Sequence, residues 1–359
     1  MPTIRDVAKR AGVAPTTVSR VVNSSGYVSK ETRERVEAAI AELGYVPNTL
    51  ARSLRFKKTN TLALVLPDIT NPFWTTVARG VEDAASDRGF NVILCNTDES
   101  ETEEAKYLTV LLQKQIDGIV LAPARSTAGP VEFIQKQGVP VVVLDRRVPC
   151  TQVDIVRGDS VKGAYRLVRL LLALGHRRIA ILTGPQDVST ALDRVAGYRQ
   201  ALTETGLDLD GNLIYYGEFT QTSGYEMTQQ VLTIASRPTA LFAANNFIAI
   251  GSLRALQDAG LRVPEDMALV SFDDLPQALV IDPFLTVVAQ PAYEMGHRAT
   301  ELLLARLSGV APVEYQEIVL PTETIVRKSS GPPPDRQKAI KSLSGPAHDM
   351  GPPEVLTDI

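Results

Sequence analysis

The sequence is poor in cysteine, histidine and aromatic residues, and it contains no long apolar run. Two cysteines and three histidines occur in 359 residues, without the spacing of a zinc site or a disulfide framework. Cys95 and Cys150 are therefore predicted to be reduced, structural cysteines. No apolar stretch approaches the ~18 residues that a membrane helix needs, and the first ten residues have no apolar signal-peptide core. These absences predict a cytoplasmic protein that does not insert into a membrane.

The motifs of common enzyme classes are also missing. The sequence has no G-x-x-x-x-G-K-[ST] phosphate loop, no G-x-G-x-x-G after the first predicted strand and no G-x-S-x-G elbow. The histidines show neither metal-ligand nor catalytic-triad spacing. We therefore predict no catalytic residue, no cofactor and no metal ion, and we do not expect an enzyme.

Positive charge is concentrated at the amino-terminal end of the chain. The formal net charge is -4, yet residues 1–58 hold eleven Lys or Arg against five Asp or Glu. The remaining residues hold 26 basic and 36 acidic side chains. A basic end on an acidic body indicates a polyanionic partner at that end only. Charge alone leaves DNA, RNA and an anionic membrane surface open.

Three short helices are predicted within residues 1–46. Thr3 begins a capping-box pattern at the start of the first helix, and Gly12 ends that helix. The segment Val13–Arg20 then forms a second amphipathic helix, and Ser29 caps a third. Two short helices separated by a glycine turn are typical of a helix-turn-helix, whose second helix enters the DNA major groove. The pattern predicts an all-α DNA-binding headpiece.

Two segments outside the folded parts are predicted from their composition and length. Residues 47–59 contain a possible helix of about eight residues, and helices shorter than ~12–15 residues are marginal in water unless something pairs with them. We interpret this segment as a hinge. Residues 329–359 are rich in Pro and Gly with little apolar content, which predicts a disordered tail.

Strand-like and helix-like segments alternate through residues 60–328. Apolar runs such as Leu62–Pro67 and Ile179–Thr183 are followed by helix-length segments such as Pro72–Arg88 and Arg194–Thr205. This alternation predicts mostly parallel sheets with helices on both faces, and its length fits two doubly wound lobes. Ligands of such sheets bind beyond the carboxyl ends of the strands, which here predicts a cleft between the lobes.

Several motifs together resemble the lactose-repressor family of bacterial transcription regulators. In chain order they are TIRDVAKRAGV at 3–13, TTVSRVVN at 16–23, ETRERVEAAIAELGYVPN at 31–48, ARSL at 51–54, NPF at 71–73, GYRQAL at 197–202 and VPEDMALVSFDD at 263–274. The resemblance spans about residues 2–328, and its amino-terminal motif is highly specific. It implies a dimeric repressor whose α/β core has two doubly wound lobes resembling periplasmic sugar-binding proteins.

The resemblance assigns recognition of operator DNA to the second headpiece helix. Pro15, Thr16 and Arg20 match base-reading positions, whereas Thr17 and Ser19 match positions that contact phosphates. Arginine is also the commonest bidentate reader of guanine, worth ~1–3 kcal/mol of discrimination. We therefore favour base contact by Arg20 over a role as a solvated surface arginine.

The same resemblance implies that the hinge contacts the DNA minor groove. Ala51 and Leu54 match the hinge-helix motif, and Leu54 matches the residue that wedges between base pairs and kinks the duplex. Packing of Leu54 against its dimer mate is an alternative that is compatible with the wedge. The tail shows no leucine heptad that would join dimers into a tetramer, so we expect a homodimer on a pseudo-palindromic operator.

The resemblance also places an effector site in the core. The predicted effector-binding residues are Phe73, Trp74, Asp145, Arg194, Asn245, Asp273 and Gln290. Arginine, carboxylate and amide groups beside an aromatic ring suit a polyol, so we expect a sugar or sugar derivative. An interlobe ion pair is the alternative for Arg194 and Asp273, and structural roles are equally favoured for Trp74 and Asp145.

Some questions stay open at the level of the sequence. Arg146 is as well explained by structure as by ligand contact, and Asn246 stands where the family often has Asp. Neither the effector's identity nor whether it releases or tightens DNA binding is specified. A solute-binding module without DNA regulation is the alternative function, but it predicts a signal peptide and no basic end, the reverse of this sequence.

Overall fold

The computed structural model describes residues 2–46, 58–149, 152–275 and 282–334. The chain divides into two compact units, residues 1–59 and residues 60–359. Ala51 and Leu54 of the predicted hinge lie outside the described residues, as do Cys150 and residues 335–359 of the predicted tail. Within the described residues, every helix is too short or too polar to span a membrane.

The first unit contains the three helices that the sequence predicts. They are α1 Ile4–Ala11, α2 Pro15–Val22 and α3 Lys30–Leu43. The capping box is present, because Thr3 Oγ1 accepts a bond from the Asp6 amide and the Asp6 carboxylate accepts one from the Thr3 amide. Val7, Val18 and Val36, one from each helix, are completely buried against one another's helices. These contacts hold three short helices around one small core.

The second unit contains two lobes, and each lobe has one sheet of six strands in the described residues. The strands are β1 Thr61–Leu66, β2 Asn91–Asn96, β3 Gly118–Leu121, β4 Val141–Leu144, β5 Asp154–Gly158, β6 Ile179–Thr183, β7 Ile214–Tyr216, β8 Ala240–Ala243, β9 Ala268–Phe272, β10 Thr286–Ala289, β11 Glu317–Leu320 and β12 Glu323–Ile325. Lobe 1 has the order β11-β5-β4-β3-β1-β2, and lobe 2 has the order β12-β10-β9-β8-β6-β7. All pairings are parallel except that between β10 and β12.

Helices cover the two sheets. They are α4 Pro72–Ser86, α5 Glu101–Gln113, α6 Gly129–Lys136, α7 Ser160–Leu174, α8 Ser189–Glu204, α9 Gln221–Thr233, α10 Asn246–Asp258 and α11 Ala292–Leu307. Helix α7 follows lobe 1 but packs in the core of lobe 2, and α11 follows lobe 2 but packs in the core of lobe 1. The chain therefore crosses between the lobes, which brings the carboxyl ends of both sheets to one cleft. The predicted fold class is confirmed.

The start of one helix differs markedly from the sequence-based prediction. Helix α8 begins at Ser189 rather than Arg194, and its first turn follows Val188, which provides no side-chain cap. Because the usual start signal is absent there, the sequence pattern missed one and a half turns. The sequence reading also did not identify β5, β7, β11, β12, α6 or α9, most of which are short or polar.

The core extends beyond residue 328, where the tail was predicted to begin. Ser329 Oγ donates to the Leu269 carbonyl at 2.5 Å and accepts from the Thr286 amide at 2.8 Å. Ser330 is also buried. The hydrogen bonds to β9 and β10 make these serines part of lobe 2, so the predicted boundary is wrong by at least two residues.

Candidate functional sites

Helix α2 presents the side chains that the sequence predicts to read DNA. Pro15, Thr16 and Arg20 are exposed, whereas Thr17 and Ser19 are half-buried. The valines of the helix face the headpiece core instead. The structure thus leaves the three predicted base-reading side chains on the solvent face of the helix, and their contact with DNA stays a prediction.

A cavity of about 380 Å³ lies at the carboxyl ends of the strands, between the two lobes. Its lining includes all seven side chains predicted to bind an effector: Phe73, Trp74, Asp145, Arg194, Asn245, Asp273 and Gln290. Residues that the sequence did not single out also line it, among them Glu99, Arg125 and Glu218. The structure therefore brings the predicted residues together, while ligand binding there stays a prediction.

Asp145 and Asp273 occupy equivalent places in the two lobes. Asp145 follows β4 and Asp273 follows β9, and each has a left-handed φ of 64°. Each backbone amide donates at 2.8 Å to a carbonyl of the next strand, that of Val156 or Val288. Left-handed backbone is uncommon for residues other than glycine, and aspartate is one of the types that tolerate it. The repeated geometry places one carboxylate from each lobe at the cavity.

The partners of Asp273 are already in place. Gln290 Nε2 donates to Asp273 Oδ1 at 2.8 Å, and Arg194 Nη2 lies 3.9 Å from Asp273 Oδ2. Burial raises the pKa of Asp273, and the Arg194 charge and the Gln290 hydrogen bond act against that rise. Asp273 and Arg194 both belong to lobe 2, so the predicted alternative of an ion pair between the lobes is wrong.

Asp145 is less completely bonded than Asp273. It is 6% exposed, and its Oδ1 has no hydrogen-bond partner among the residues that the structure describes. Burial raises the pKa of Asp145 to about 6, although the charges of Arg194 and Arg146 lower it. A buried carboxylate oxygen without a donor lowers the stability of the folded chain. This oxygen is therefore suited to accept a hydrogen bond from a hydroxyl group of a ligand.

Arg194 is held in place by aromatic and backbone contacts. Its Nη1 donates to the Ala244 carbonyl at 2.6 Å, and its guanidinium lies 4.0 Å from the centroid of the Phe272 ring. The Nε atom has no partner within the described parts of the chain. Arg194 therefore has a fixed orientation, and its buried Nε donor is available to a ligand.

Arg146 has a structural role despite lining the same cavity. It is 2% exposed and binds both carboxylate oxygens of Glu99, at 2.7 and 2.6 Å. The same guanidinium donates to the carbonyls of Pro123 and Ala124 at 2.7 Å each. Four bonds to the protein favour a structural role for Arg146, although its buried Nε atom has no partner among the described residues.

Asn246 connects the lobes. Asn71, the cap of α4 in lobe 1, donates from Nδ2 to Asn246 Oδ1 at 2.9 Å, and Asn246 Nδ2 donates back to Asn71 Oδ1 at 3.0 Å. Both side chains are buried. The pairing requires two residues 175 positions apart in the chain, so no local sequence signal could reveal it.

The aromatic and amide residues of the predicted set have distinct local roles. Phe73 and Trp74 lie in the first turn of α4 and contact each other edge to face, with ring centroids 4.8 Å apart. Asn245 caps α10 by accepting from the Ile248 amide, and its Nδ2 donates to the Phe219 carbonyl at 3.3 Å. Both ends of the Asn245 amide are thus engaged by the protein.

The lining of the cavity is rich in hydrogen-bonding groups. In the described ranges, His, Cys, Asp and Glu side chains form no group of three or more that could hold a metal ion. The cavity instead combines carboxylates, arginines and amides with aromatic rings. This combination suits a ligand with several hydroxyl groups.

Both parts of the chain match known protein families. Residues 3–48 match the family described as bacterial regulatory proteins, lacI family. Residues 59–317 match the family described as periplasmic binding proteins and sugar binding domain of LacI family. The sequence is 39% identical over 336 residues to the HTH-type transcriptional regulator DegA of Bacillus subtilis (strain 168), covering 92% of this chain and 98% of that protein. It is 35% identical to the ribose operon repressor of Escherichia coli (strain K12), covering 92% of this chain and 100% of that protein.

Solved structures share this organisation. A lac repressor dimer bound to operator and the anti-inducer ONPF superposes with a TM-score of 0.80 at 30% identity, covering 92% of this chain and 99% of that one. A complex of the transcriptional regulator CelR with cellobiose gives a TM-score of 0.70 at 37% identity, covering 92% and 100%. The likeness covers both the amino-terminal unit and the two-lobed core.

Proposed function

Since this chain belongs to the lacI family of bacterial regulatory proteins, we propose that a small polyhydroxy ligand in the interlobe cavity controls its binding to operator DNA. The chain is a DNA-binding transcriptional regulator with a helix-turn-helix and a two-lobed α/β core. The observation that carries the ligand proposal is the convergence of seven side chains, from both lobes, on one cavity of about 380 Å³. Ligands in such clefts are held by a few polar groups beside an apolar surface.

The proposed mechanism joins the cavity to the headpiece through the segment at 47–59. A ligand that contacts both lobes favours one arrangement of the lobes over others. In a homodimer, that arrangement sets the spacing of the two hinge segments and hence whether they pair as helices. Pairing then determines whether Leu54 can enter the minor groove. Replacing Leu54 with Ala should leave headpiece folding intact and reduce DNA bending, measured by electrophoretic phasing; unchanged bending would exclude the wedge.

Operator reading by α2 is tested with two exposed arginines of the headpiece. Arg20 lies on α2, whereas Arg10 lies on α1 and forms a bidentate pair with Glu42 of α3. Binding is measured on a DNA site selected from a random library and on a scrambled site. Arg20→Ala should weaken binding to the selected site by ~1–3 kcal/mol, because a base contact is lost, and should affect scrambled DNA little.

Arg10→Ala is the matched control for the same assay. It removes an exposed guanidinium but no predicted base contact, so the ratio of selected to scrambled binding should stay near that of the parent chain. Equal losses on both DNAs for Arg20→Ala would reduce Arg20 to a phosphate contact.

Two further expectations complete the proposal. The relatives named above are regulators rather than enzymes, and we infer that this chain likewise acts by binding and not by catalysis. Its partners are double-stranded operator DNA, a second copy of the chain and the small-molecule effector. Because bacterial operators lie in the cytoplasm, we expect the protein to act there. A solute-binding module without DNA regulation would leave the helix-turn-helix without a role.

A further inference from the structure

The charged side chains of the cavity are mostly negative. Among the described residues, six carboxylates line it: Asp68, Asp98, Glu99, Asp145, Glu218 and Asp273. The positive side chains are three arginines at positions 125, 146 and 194. Formal charge alone therefore disfavours an anionic ligand, unless one of the arginines is free to bind it.

Arg146 is not free to bind an anion. Both of its terminal nitrogens bind the Glu99 carboxylate, and Nη1 also meets two backbone carbonyls. A phosphate or carboxylate of a ligand would have to displace Glu99 from a bidentate pair, which is the strongest class of hydrogen-bonded ion pair in proteins. Arg146 therefore offers an incoming anion no accessible bidentate contact.

Arg125 is surrounded by carboxylates from both lobes. Glu99 lies 3.7 Å away in lobe 1, while Asp187 and Glu218 of lobe 2 lie 3.3 and 3.5 Å away. Its Nη1 also donates to the carbonyl of Ala124 at 3.0 Å. Three carboxylates around one guanidinium leave a negative surplus at this side of the cavity.

Arg194 is the third arginine, and it faces the two buried aspartates. Its Nη1 is bonded to the Ala244 carbonyl, and its Nη2 faces Asp273. Its charge also acts on Asp145. The Nε donor has no partner within the described residues, and Nη2 lies 3.9 Å from Asp273 Oδ2. An anionic group bonded to these two nitrogens would therefore be placed beside the Asp273 carboxylate, a like charge, whereas a hydroxyl or ring oxygen would not add charge there.

Helix amino termini could attract an anion, but four of those at this cavity are already capped by side chains. Asn71, Ser100, Thr220 and Asn245 line the cavity, and each accepts a hydrogen bond from an amide in the first turn of its own helix. A fifth, that of α8, has no side-chain cap, but its Ser189 amide donates to Ser126 Oγ and its Ala191 amide to the Val188 carbonyl. The partial positive charge of these termini favours negative charge nearby, such as that of Glu99 next to Ser100 and of Glu218 near Thr220. The termini therefore offset the resident negative charge and are not a surplus that would attract a phosphate.

The remaining hydrogen-bonding groups include both donors and acceptors. Asp145 Oδ1 and Gln290 Oε1 are buried acceptors, and Arg194 Nε is a buried donor, each unpartnered within the residues described. A hydroxyl can donate to the acceptors and accept from the donor, whereas a phosphate or carboxylate oxygen only accepts. A phosphate or carboxylate group placed beside the acceptors would therefore leave them unpaired and add a like charge.

From this arrangement we propose that the effector is an uncharged sugar or polyol, whose hydroxyls donate to Asp145 and Gln290, and that phosphorylated and acidic sugars are excluded. This inference rests on the proposed function, since it concerns the ligand of the same cavity. Phe73 and Trp74 provide the apolar surface that such a ring contacts. Asp145 and Arg194 are specificity-determining residues. Glu99 occupies the guanidinium of Arg146, so the positive charge of Arg146 is not available to an anionic ligand.

The test compares ligands that share a carbon skeleton and differ in charge. Calorimetry measures the affinity of the full chain for each ligand. Ribose is compared with ribose 5-phosphate, and glucose is compared with glucose 6-phosphate and glucuronate. Cellobiose is a further uncharged sugar. Hypoxanthine and guanine are included as non-sugar probes. The tightest ligand should be uncharged, and its anionic counterpart should bind at least about tenfold more weakly.

Variants that remove one negative charge sharpen the comparison. Asp68→Asn keeps the oxygen to which Thr70 donates, and Glu99→Gln weakens the pair that holds Arg146. For each variant, the ratio of the affinities for the uncharged and the anionic ligand of a pair should fall by about threefold or more. Asp258→Asn is the control, because it removes one charge at the far end of α10, and it should leave this ratio unchanged.

Each outcome bears on one claim. Tighter binding of a sugar phosphate, a sugar acid or a nucleobase would overturn the inference on ligand charge while leaving control by a ligand intact. If no compound of the panel binds, and none changes operator affinity, both this inference and the proposed ligand control are wrong. An equal fall of the ratio for Asp258→Asn would show that net charge of the protein, and not of the cavity, sets the preference.

Discussion

The two ends of the lobe 1 sheet each carry a buried aspartate, but the two carboxylates are treated differently. Asp154 begins β5 at the end away from the cavity and is completely buried. Arg306 donates to it from Nε at 2.6 Å and from Nη2 at 2.9 Å, and the Gln316 amide donates at 2.8 Å. Asp145 follows β4 at the cavity end, and its Oδ1 lacks a partner within the described residues.

This difference distinguishes a structural carboxylate from a candidate ligand group. Burial is nearly the same for the two residues, so burial does not identify function here. The number of hydrogen bonds that the folded chain supplies does. Three donors satisfy Asp154, whereas Asp145 keeps an unsatisfied acceptor, and an unsatisfied buried group is destabilising unless a ligand completes it.

The largest expected effect is that of replacing Asp154, the carboxylate that receives three hydrogen bonds. Asp154→Asn neutralises the carboxylate of a buried ion pair and turns one of its acceptor oxygens into a donor, so it should lower the free energy of unfolding of the core by about 3–5 kcal/mol. Urea unfolding of the ligand-free chain at neutral pH measures it. A change smaller than about 1 kcal/mol would mean that the Arg306 pair contributes no more than an exposed ion pair.

The opposite sign is expected at the cavity end. Asp145→Asn should raise the free energy of unfolding of the ligand-free core at neutral pH, by up to about 3 kcal/mol, because burial raises the pKa of Asp145 from 3.8 to about 6. The same variant should bind the effector more weakly. Destabilisation by Asp145→Asn, as for Asp154→Asn, would remove the distinction between the two ends of the sheet.

The pH dependence of stability sharpens the same point. Because the folded-state pKa of Asp145 is about 6, the folded state retains a proton between about pH 4 and 6 that the unfolded state has released. The contribution of Asp145 to stability is therefore lost as pH rises through that window. The difference in unfolding free energy between Asp145→Asn and the parent chain should be near zero at pH 4 and greatest at pH 7. A difference that does not vary with pH would place its cause outside the titration of Asp145.

A smaller effect is expected for the amide pair between the lobes. Asn246→Ala leaves the Asn71 amide without its partner in a buried setting and should lower the free energy of unfolding by about 1–2 kcal/mol. Asn212, which is exposed in the 3-10 turn Gly211–Leu213, is the matched control. Asn212→Ala should change stability by less than about 0.5 kcal/mol, and an equal effect of the two variants would deny the interlobe pair a stabilising role.

Much of the fold follows from signals that are local in the sequence. The Thr3 capping box, the glycine turn before α2 and the alternation of apolar runs with helix-length segments each depend on neighbouring residues. The places of Asp145, Asn245 and Asp273 are predictable for the same reason, because each follows an apolar run that forms a buried strand. Parallel strands bring their carboxyl ends to one edge, so these residues had to share a face of their lobe.

The partners of the cavity residues could not be predicted in that way. Glu99 and Arg146 are 47 positions apart, and Asn71 and Asn246 are 175 apart. Differences of less than about 1 Å in the distance between donor and acceptor decide whether a polar side chain bonds to another one or stays available to a ligand. From the sequence, a structural role and ligand contact are therefore equally favoured for Arg146 and for Asp145. The hydrogen bonds distinguish the two residues, because Arg146 makes four bonds to the protein and Asp145 Oδ1 makes none within the described residues.

The central claim is that a ligand in the interlobe cavity changes the affinity of the headpiece for DNA. The most direct measurement is the operator dissociation constant of the full chain with and without the tightest-binding uncharged sugar, on the selected DNA site and at one salt concentration. A change of about 5- to 150-fold is expected, and operator should change the affinity for the sugar by the same factor. A sugar that binds the chain, is weakened by Asp145→Asn and yet leaves the operator dissociation constant unchanged would contradict the account.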